Sequence, residues 1–246
     1  MGKVTTTNDN NEGTAMSRRA LLLGATGLVG GHCLRLLLDC DAYQEVRVLT
    51  RRPLGINHPK LIEKVVEPAQ FEKETEFFQV DDVFCALGTT LKQAGSKEAF
   101  REVDLGLITA VGRAARDAGV QRFMMVSAVN ANAHSPFFYA RTKGQAEREL
   151  KALKLPLLAL FQPSLLLGER ERPRPVEAFG IRFSKIIDPI TRWTDAHWLP
   201  VSGERVAEAL VGMALEGPAT GVYRVRFRDF VVYAGKFREK YPRAVS

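Results

Sequence analysis

The chain has 246 residues, 46% hydrophobic and 26% charged, the balance of a soluble globular protein long enough to bury a sizeable core. Its formal charge of +7 is uneven, since residues 222–246 hold seven lysines and arginines against Asp229 and Glu239. No recognition-helix or base-stacking motif accompanies that charge, so a solvated basic tail over residues 231–246 is favoured over nucleic-acid binding.

Residues 1–17 are polar, almost free of large apolar groups, and read as a disordered leader or an expression remnant. No apolar run reaches membrane-spanning length, because the best one, LPLLALFQPSLLLG, is broken by Gln162, Pro163 and Ser164. With no apolar core of a secretory signal in the leader, a cytoplasmic location is expected. Cys33, Cys40 and Cys85 form no CxxC and fall within predicted helix or strand, as reduced buried thiols would. His32, His58, His134 and His197 are too scattered for a zinc spacing, so no metal is expected.

In chain order, short apolar runs alternate with helix-length spacers: ALLL at 20–23, VRVLT at 46–50, a weaker LIEKVV at 61–66, VFCAL at 83–87, RFMMVS at 122–127 and LLALF at 157–161. Strands so spaced imply βαβ units and a parallel sheet. In the spacer before RFMMVS, Val103, Leu107, Val111 and Ala115 are expected to share one helix face, with Gly119 ending the helix. Residues 166–200, with prolines at 173, 175, 189 and 200, lack a clean strand period and read as a lid or substrate lobe in which Trp193 and Trp198 pack. Residues 204–217 return to helical period, and GVYRVRF is the last expected strand. The fold class is therefore α/β, a Rossmann-type doubly wound parallel sheet forming one domain over residues 18–230, with a small C-terminal lid lobe.

The stretch LLLGATGLVGGH sets Gly24, Gly27 and Gly30 three apart, with Thr26, Leu28 and Val29 between them, directly after a strand and at the start of a helix. Such a turn lets backbone amides approach a pyrophosphate, and the helix N-terminus adds favourable dipole charge. Which dinucleotide binds is decided near the end of the second strand, where an acid would hydrogen-bond the ribose of NAD. Here the residues are Thr50, Arg51 and Arg52, which suit a 2′-phosphate, so NADPH is expected over NADH.

Tyr139 and Lys143 stand four apart and share a helix face. A free tyrosine ionises near pH 10, and an adjacent ammonium favours its anion, which suits proton exchange beside a nicotinamide. Ser127, at the carboxyl end of RFMMVS, is expected to point its hydroxyl into the same cleft and hold a substrate carbonyl. His134, between them, is read as an exposed loop residue.

Through GATGLVG, CALGTT, VSA, YARTKGQAE and FQPSLLLGERERPRP, the chain from about Ala20 to Leu215 resembles the short-chain dehydrogenase/reductase superfamily, and within it the atypical branch of Tat-interacting oxidoreductases. The resemblance implies that Ser127 positions a carbonyl, Tyr139 is the general acid/base and Lys143 tunes it. It also implies that Ala86, Leu87, Gly88 and Thr89 line the cofactor and that Pro163, Ser164, Leu165 and Leu166 border the nicotinamide. Two features depart from the pattern: Asp104 stands where many relatives place an asparagine, and VRFRDFVVYAGKFREKYPRAVS has no counterpart in the branch. Two functions fit: an NADPH-dependent reductase acting on a small carbonyl or alcohol, or an NADPH-binding regulatory protein that engages a protein partner.

Overall fold

The computed structural model describes residues 17–167 and 199–242. Seven strands form one sheet in the order β3-β2-β1-β4-β5-β6-β9, with every neighbouring pair parallel. They are β1 (Arg18–Leu23), β2 (Tyr43–Thr50), β3 (Leu61–Val65), β4 (Asp82–Cys85), β5 (Arg122–Val126), β6 (Leu157–Phe161) and β9 (Gly221–Val225), each within or overlapping a run expected from the sequence. A parallel sheet covered on both faces needs apolar side chains on both, and β4 and β6 are buried along their whole length.

One face is covered by α1 (Leu28–Asp39), α6 (Gly203–Glu216) and α7 (Phe227–Lys240) over a core that includes Leu22, Phe84, Phe161 and Phe230. The other is covered by α4 (Ile108–Asp117) and α5 (Phe138–Ala152) over Leu23, Val83, Phe123 and Leu160. The short α2 (Leu91–Ala94) and α3 (Lys97–Arg101) lie between β4 and α4, and β7 (Leu166–Leu167) pairs with β8 (Val201–Ser202) as a separate parallel pair. Most of the expected lid, including Trp193 and Trp198, lies outside the described residues.

Two expectations are corrected. The helix before β5 is interrupted by a π-helical turn over Glu102–Leu107. An extra residue in the turn rotates the register, so Asp104 and Ile108 are buried together with Val111 and Ala115, while Val103 and Leu107 are only partly covered. Gly119 does follow the helix end, at φ 74°. The second correction concerns the basic tail, most of which is α7. Phe230, Ala234 and Phe237 bury against α6, and the cations on the outer side have partners. Arg238 donates two hydrogen bonds of 2.7 Å to the buried Glu208, and Lys240 donates one of 2.8 Å to Glu216. The sequence shows Lys and Arg at intervals but not the acids on α6 that receive them.

All three thiols are buried, as expected. Burial pushes each of them up, Cys85 to about 11, which keeps them protonated and poorly reactive.

Candidate active site

Between β1 and β4 the strand order reverses, and the loops leaving these two strands face each other at their carboxyl ends. Gly24 begins the first loop at φ 84°, and a Cβ there would sit 2.4 Å from the Ala86 carbonyl oxygen. A Cβ on Gly30 would sit 2.0 Å from the Gly24 oxygen. The turn therefore closes only on glycine at both positions, which brings the Gly24–Gly27 backbone against the Ala86–Leu87 segment. Gly27 caps α1 with no side-chain hydrogen bond, and the first turn of the helix holds no acid. Its leading amides have no intrahelical acceptor, so Leu28, Val29 and the exposed Thr26 frame a backbone cradle suited to a pyrophosphate.

Across the cradle, β4 runs out through Ala86, Leu87, Gly88 and Thr89 to the residues on α5. A Cβ on Gly88 would lie 3.4 Å from both Asp104 Oδ1 and Lys143 Nζ. Those two atoms are 2.6 Å apart, and their side chains are 0% and 5% exposed, which makes this a buried ion pair. The Thr89 amide donates to Asp104 Oδ2 at 2.8 Å. Burial pushes the Lys143 ammonium down, but Asp104, and after it Tyr139, more than offset this, and the net shift is upward. Lys143 is thus a fixed cation at the mouth of β4. Its contact with Asp104 is an ion pair, and an ammonium carries three N–H donors with which to meet a ribose hydroxyl as well. Tyr139, one turn earlier, is 41% exposed, with its ring 5.6 Å from that of Phe100 on α3. Asp104, standing where asparagine was expected, therefore ties Lys143 to the outgoing β4 loop.

Ser127 is placed differently from expectation. Its hydroxyl donates to Glu147 Oε1 at 2.6 Å, and the same oxygen accepts from Gln162 Nε2 at 2.8 Å. Ser127, Glu147 and Gln162 are all buried. The serine hydroxyl is thus bonded to a carboxylate two turns beyond Tyr139. The cause is the repeat of four along α5, which carries Tyr139 and Lys143 on to Glu147. Ser127→Ala is expected to cost about 1–3 kcal/mol in a denaturant titration, because a buried carboxylate loses a donor. A serine that only oriented substrate would leave stability unchanged.

The remaining expected residues surround this centre. Arg51 and Arg52 are exposed just past the end of β2, where Thr50 Oγ1 donates to the Arg52 carbonyl at 2.9 Å. The Pro163 carbonyl accepts from the Val129 amide at 2.9 Å, Ser164 donates to the Leu199 carbonyl, and Leu166 enters β7. Leu165 is 65% exposed at the rim. His134 is exposed in its loop, as expected. Phe100, Glu147 and Gln162 were not singled out from the sequence. Only Glu147 carried a signal, as the third step of the 139–143–147 stripe.

A family model described as NAD(P)H-binding matches residues 24–185, from the first glycine of the turn through the segment past β6. The chain belongs to this NAD(P)H-binding family. Solved structures share its Rossmann-type fold. The Bordetella bronchiseptica enzyme WbmG in complex with NAD superposes with a TM-score of 0.63 at 16% identity, covering 88% of this chain and 74% of that one. A UDP-N-acetylglucosamine 4-epimerase from Methanobrevibacter ruminantium gives 0.65 at 16%, covering 85% and 76%. Among curated relatives, the protein FMP52, mitochondrial, of Meyerozyma guilliermondii is 37% identical over 201 residues, spanning 80% of this chain and 86% of its own length. The Candida albicans protein of the same name is 32% identical over 206 residues, spanning 80% and 87%. These names overturn the cytoplasmic expectation and point to mitochondria. Neither a missing secretory signal nor a missing membrane span bears on import into an organelle. Among the described residues no helix is long and apolar enough to cross a membrane, and no group of His, Cys, Asp and Glu could hold a metal ion.

Proposed function

We propose that this NAD(P)H-binding chain is an NADPH-dependent reductase of small carbonyl compounds, working in mitochondria as the names of its relatives suggest. The observation that carries the reading is the buried Lys143 ammonium, held against Gly88 at the cofactor side of β4 with Tyr139 one helical turn away. The bound dinucleotide would supply the hydride. The amides at the start of α1 would hold its pyrophosphate, Arg51 and Arg52 its 2′-phosphate and Lys143 a ribose hydroxyl. Tyr139, partly exposed and backed by Phe100, would donate the proton that the carbonyl oxygen takes up. Ser127, with its proton on Glu147, holds α5 to the end of β5 and has no part in this transfer.

Cofactor choice is the part of the reading closest to test. Two exposed arginines at the end of β2 favour a 2′-phosphate, and acids in their place would repel it. In the variant Arg51→Asp/Arg52→Asp, the thermal stabilisation by NADPH is expected to fall by most of its size while that by NADH holds or rises. A ligand at 100 times its Kd stabilises by about 2.7 kcal/mol, ample for the melting temperature to resolve. Equal loss with both nucleotides would reject the assignment.

A further inference from the structure

A cavity of about 500 Å³ opens beside the second half of α5. Lys143 leans toward β4, whereas this cavity lies between the second half of α5 and the outer strands β6 and β9, under the loop that follows β5. Four cationic side chains, Arg148, Lys151, Arg224 and Arg226, line it against the single carboxylate of Glu147. That carboxylate is already engaged from below by Ser127 and Gln162, and the two cations nearest its other oxygen are distant, Lys151 at 3.8 Å and Arg224 at 4.0 Å. Arg226 is braced, its Nε donating to Gln162 Oε1 at 3.3 Å and its backbone amide to Asp229 at 2.8 Å. Arg148 reaches Glu149 at 3.3 Å.

The lining thus carries more positive charge than it neutralises. Burial and then Arg224 push the Lys151 ammonium down, and Glu147 only partly opposes them. An ammonium next to a guanidinium in a half-buried position is stabilised by a shared anion, and a cavity of this size accommodates a small metabolite.

We propose that this cavity is an anion site for a small molecule bearing a phosphate group, separate from the nucleotide cleft. The phosphate oxygens would bridge Lys151, Arg224 and Arg226, replacing the long contacts to Glu147 with short charge-assisted ones. Since Glu147 also holds Ser127 at the end of β5, the occupant would touch the helix that carries Tyr139 and Lys143.

The test uses the full chain and inorganic phosphate at constant ionic strength set with chloride, with melting temperature and calorimetric titration as readouts. Phosphate is expected to raise the melting temperature and to bind with one site. Lys151→Gln/Arg224→Gln should weaken phosphate by at least about tenfold while melting normally without it. Glu147→Gln keeps an acceptor for Ser127 and Gln162 but removes the negative charge, and should tighten phosphate by at least about threefold. Arg51→Asp/Arg52→Asp should leave the response intact. No phosphate response in the unmodified chain, an unchanged response in Lys151→Gln/Arg224→Gln, weaker binding in Glu147→Gln, or loss in the Arg51/Arg52 variant would each overturn the assignment. The last outcome would place the phosphate in the nucleotide cleft. Because none of these measurements uses hydride transfer, the site stands or falls independently of the reductase reading.

Discussion

Tyr139→Phe is expected to bind NADPH as the unmodified chain does and to lose about 10²–10⁴-fold in hydride transfer to any aldehyde or ketone the protein reduces. The substitution removes one oxygen and keeps the ring, so the contact with Phe100 at 5.6 Å survives and α5 keeps its position. The Lys143–Asp104 pair is built from other atoms and is unaffected. Without the phenol, hydride delivery leaves an alkoxide with no positioned proton, and the barrier rises accordingly. The measurement is single-turnover oxidation of bound NADPH across a carbonyl panel, paired with the melting shift on NADPH addition. A retained rate in the variant would remove Tyr139 from the mechanism, and a lost melting shift would mean that the residue serves binding instead.

Lys143→Met should be among the most destabilising single changes in the candidate site, by about 3–5 kcal/mol, since it strands a carboxylate that is 0% exposed. Asp104 would keep the Thr89 amide at 2.8 Å but lose its only ion-pair partner among the described residues. Adding Asp104→Asn should recover most of the loss, because a neutral amide can still accept from Thr89 and no longer needs a cation. Guanidinium titration of the two variants measures both effects. The pH dependence has a definite sign. Lys143 is held above its ordinary value of 10.5 in the folded state, so the pair's contribution is complete below pH 10.5 and is lost as pH rises through the raised value. The stability gap between the unmodified chain and Lys143→Met should therefore be level across neutral pH and narrow only in strong alkali. A gap of less than about 1 kcal/mol at neutral pH would mean that Asp104 finds another partner.

Local chemistry was legible wherever one stretch of chain held the whole pattern. The turn at Gly24–Gly30 is such a case, because the strand, the glycines and the helix that need one another are contiguous, and the close contact between Gly30 and the Gly24 oxygen is a property of that one loop. The i, i+4 relation of Tyr139 and Lys143 is also local and holds on α5. Ser127 shows where this kind of reading fails. Its place at the end of β5 was correct, but the direction of its hydroxyl depends on Glu147 and Gln162, which come from two other elements.

By itself, the amino-acid sequence determined the order of strands and helices, the nucleotide turn and the helical pairing of Tyr139 with Lys143, since hydrophobic period and backbone sterics act over a few residues. Only the tertiary structure decided that Asp104 turns inward onto Lys143, that Ser127 is bound by Glu147, and that the basic C-terminal segment folds as α7 with Arg238 and Lys240 on the acids of α6. The physical reason is the same in all three: a buried charge is placed by the opposite charge or donor it meets, and those partners lie 20 to 39 residues away in the chain, brought close only when the layers pack.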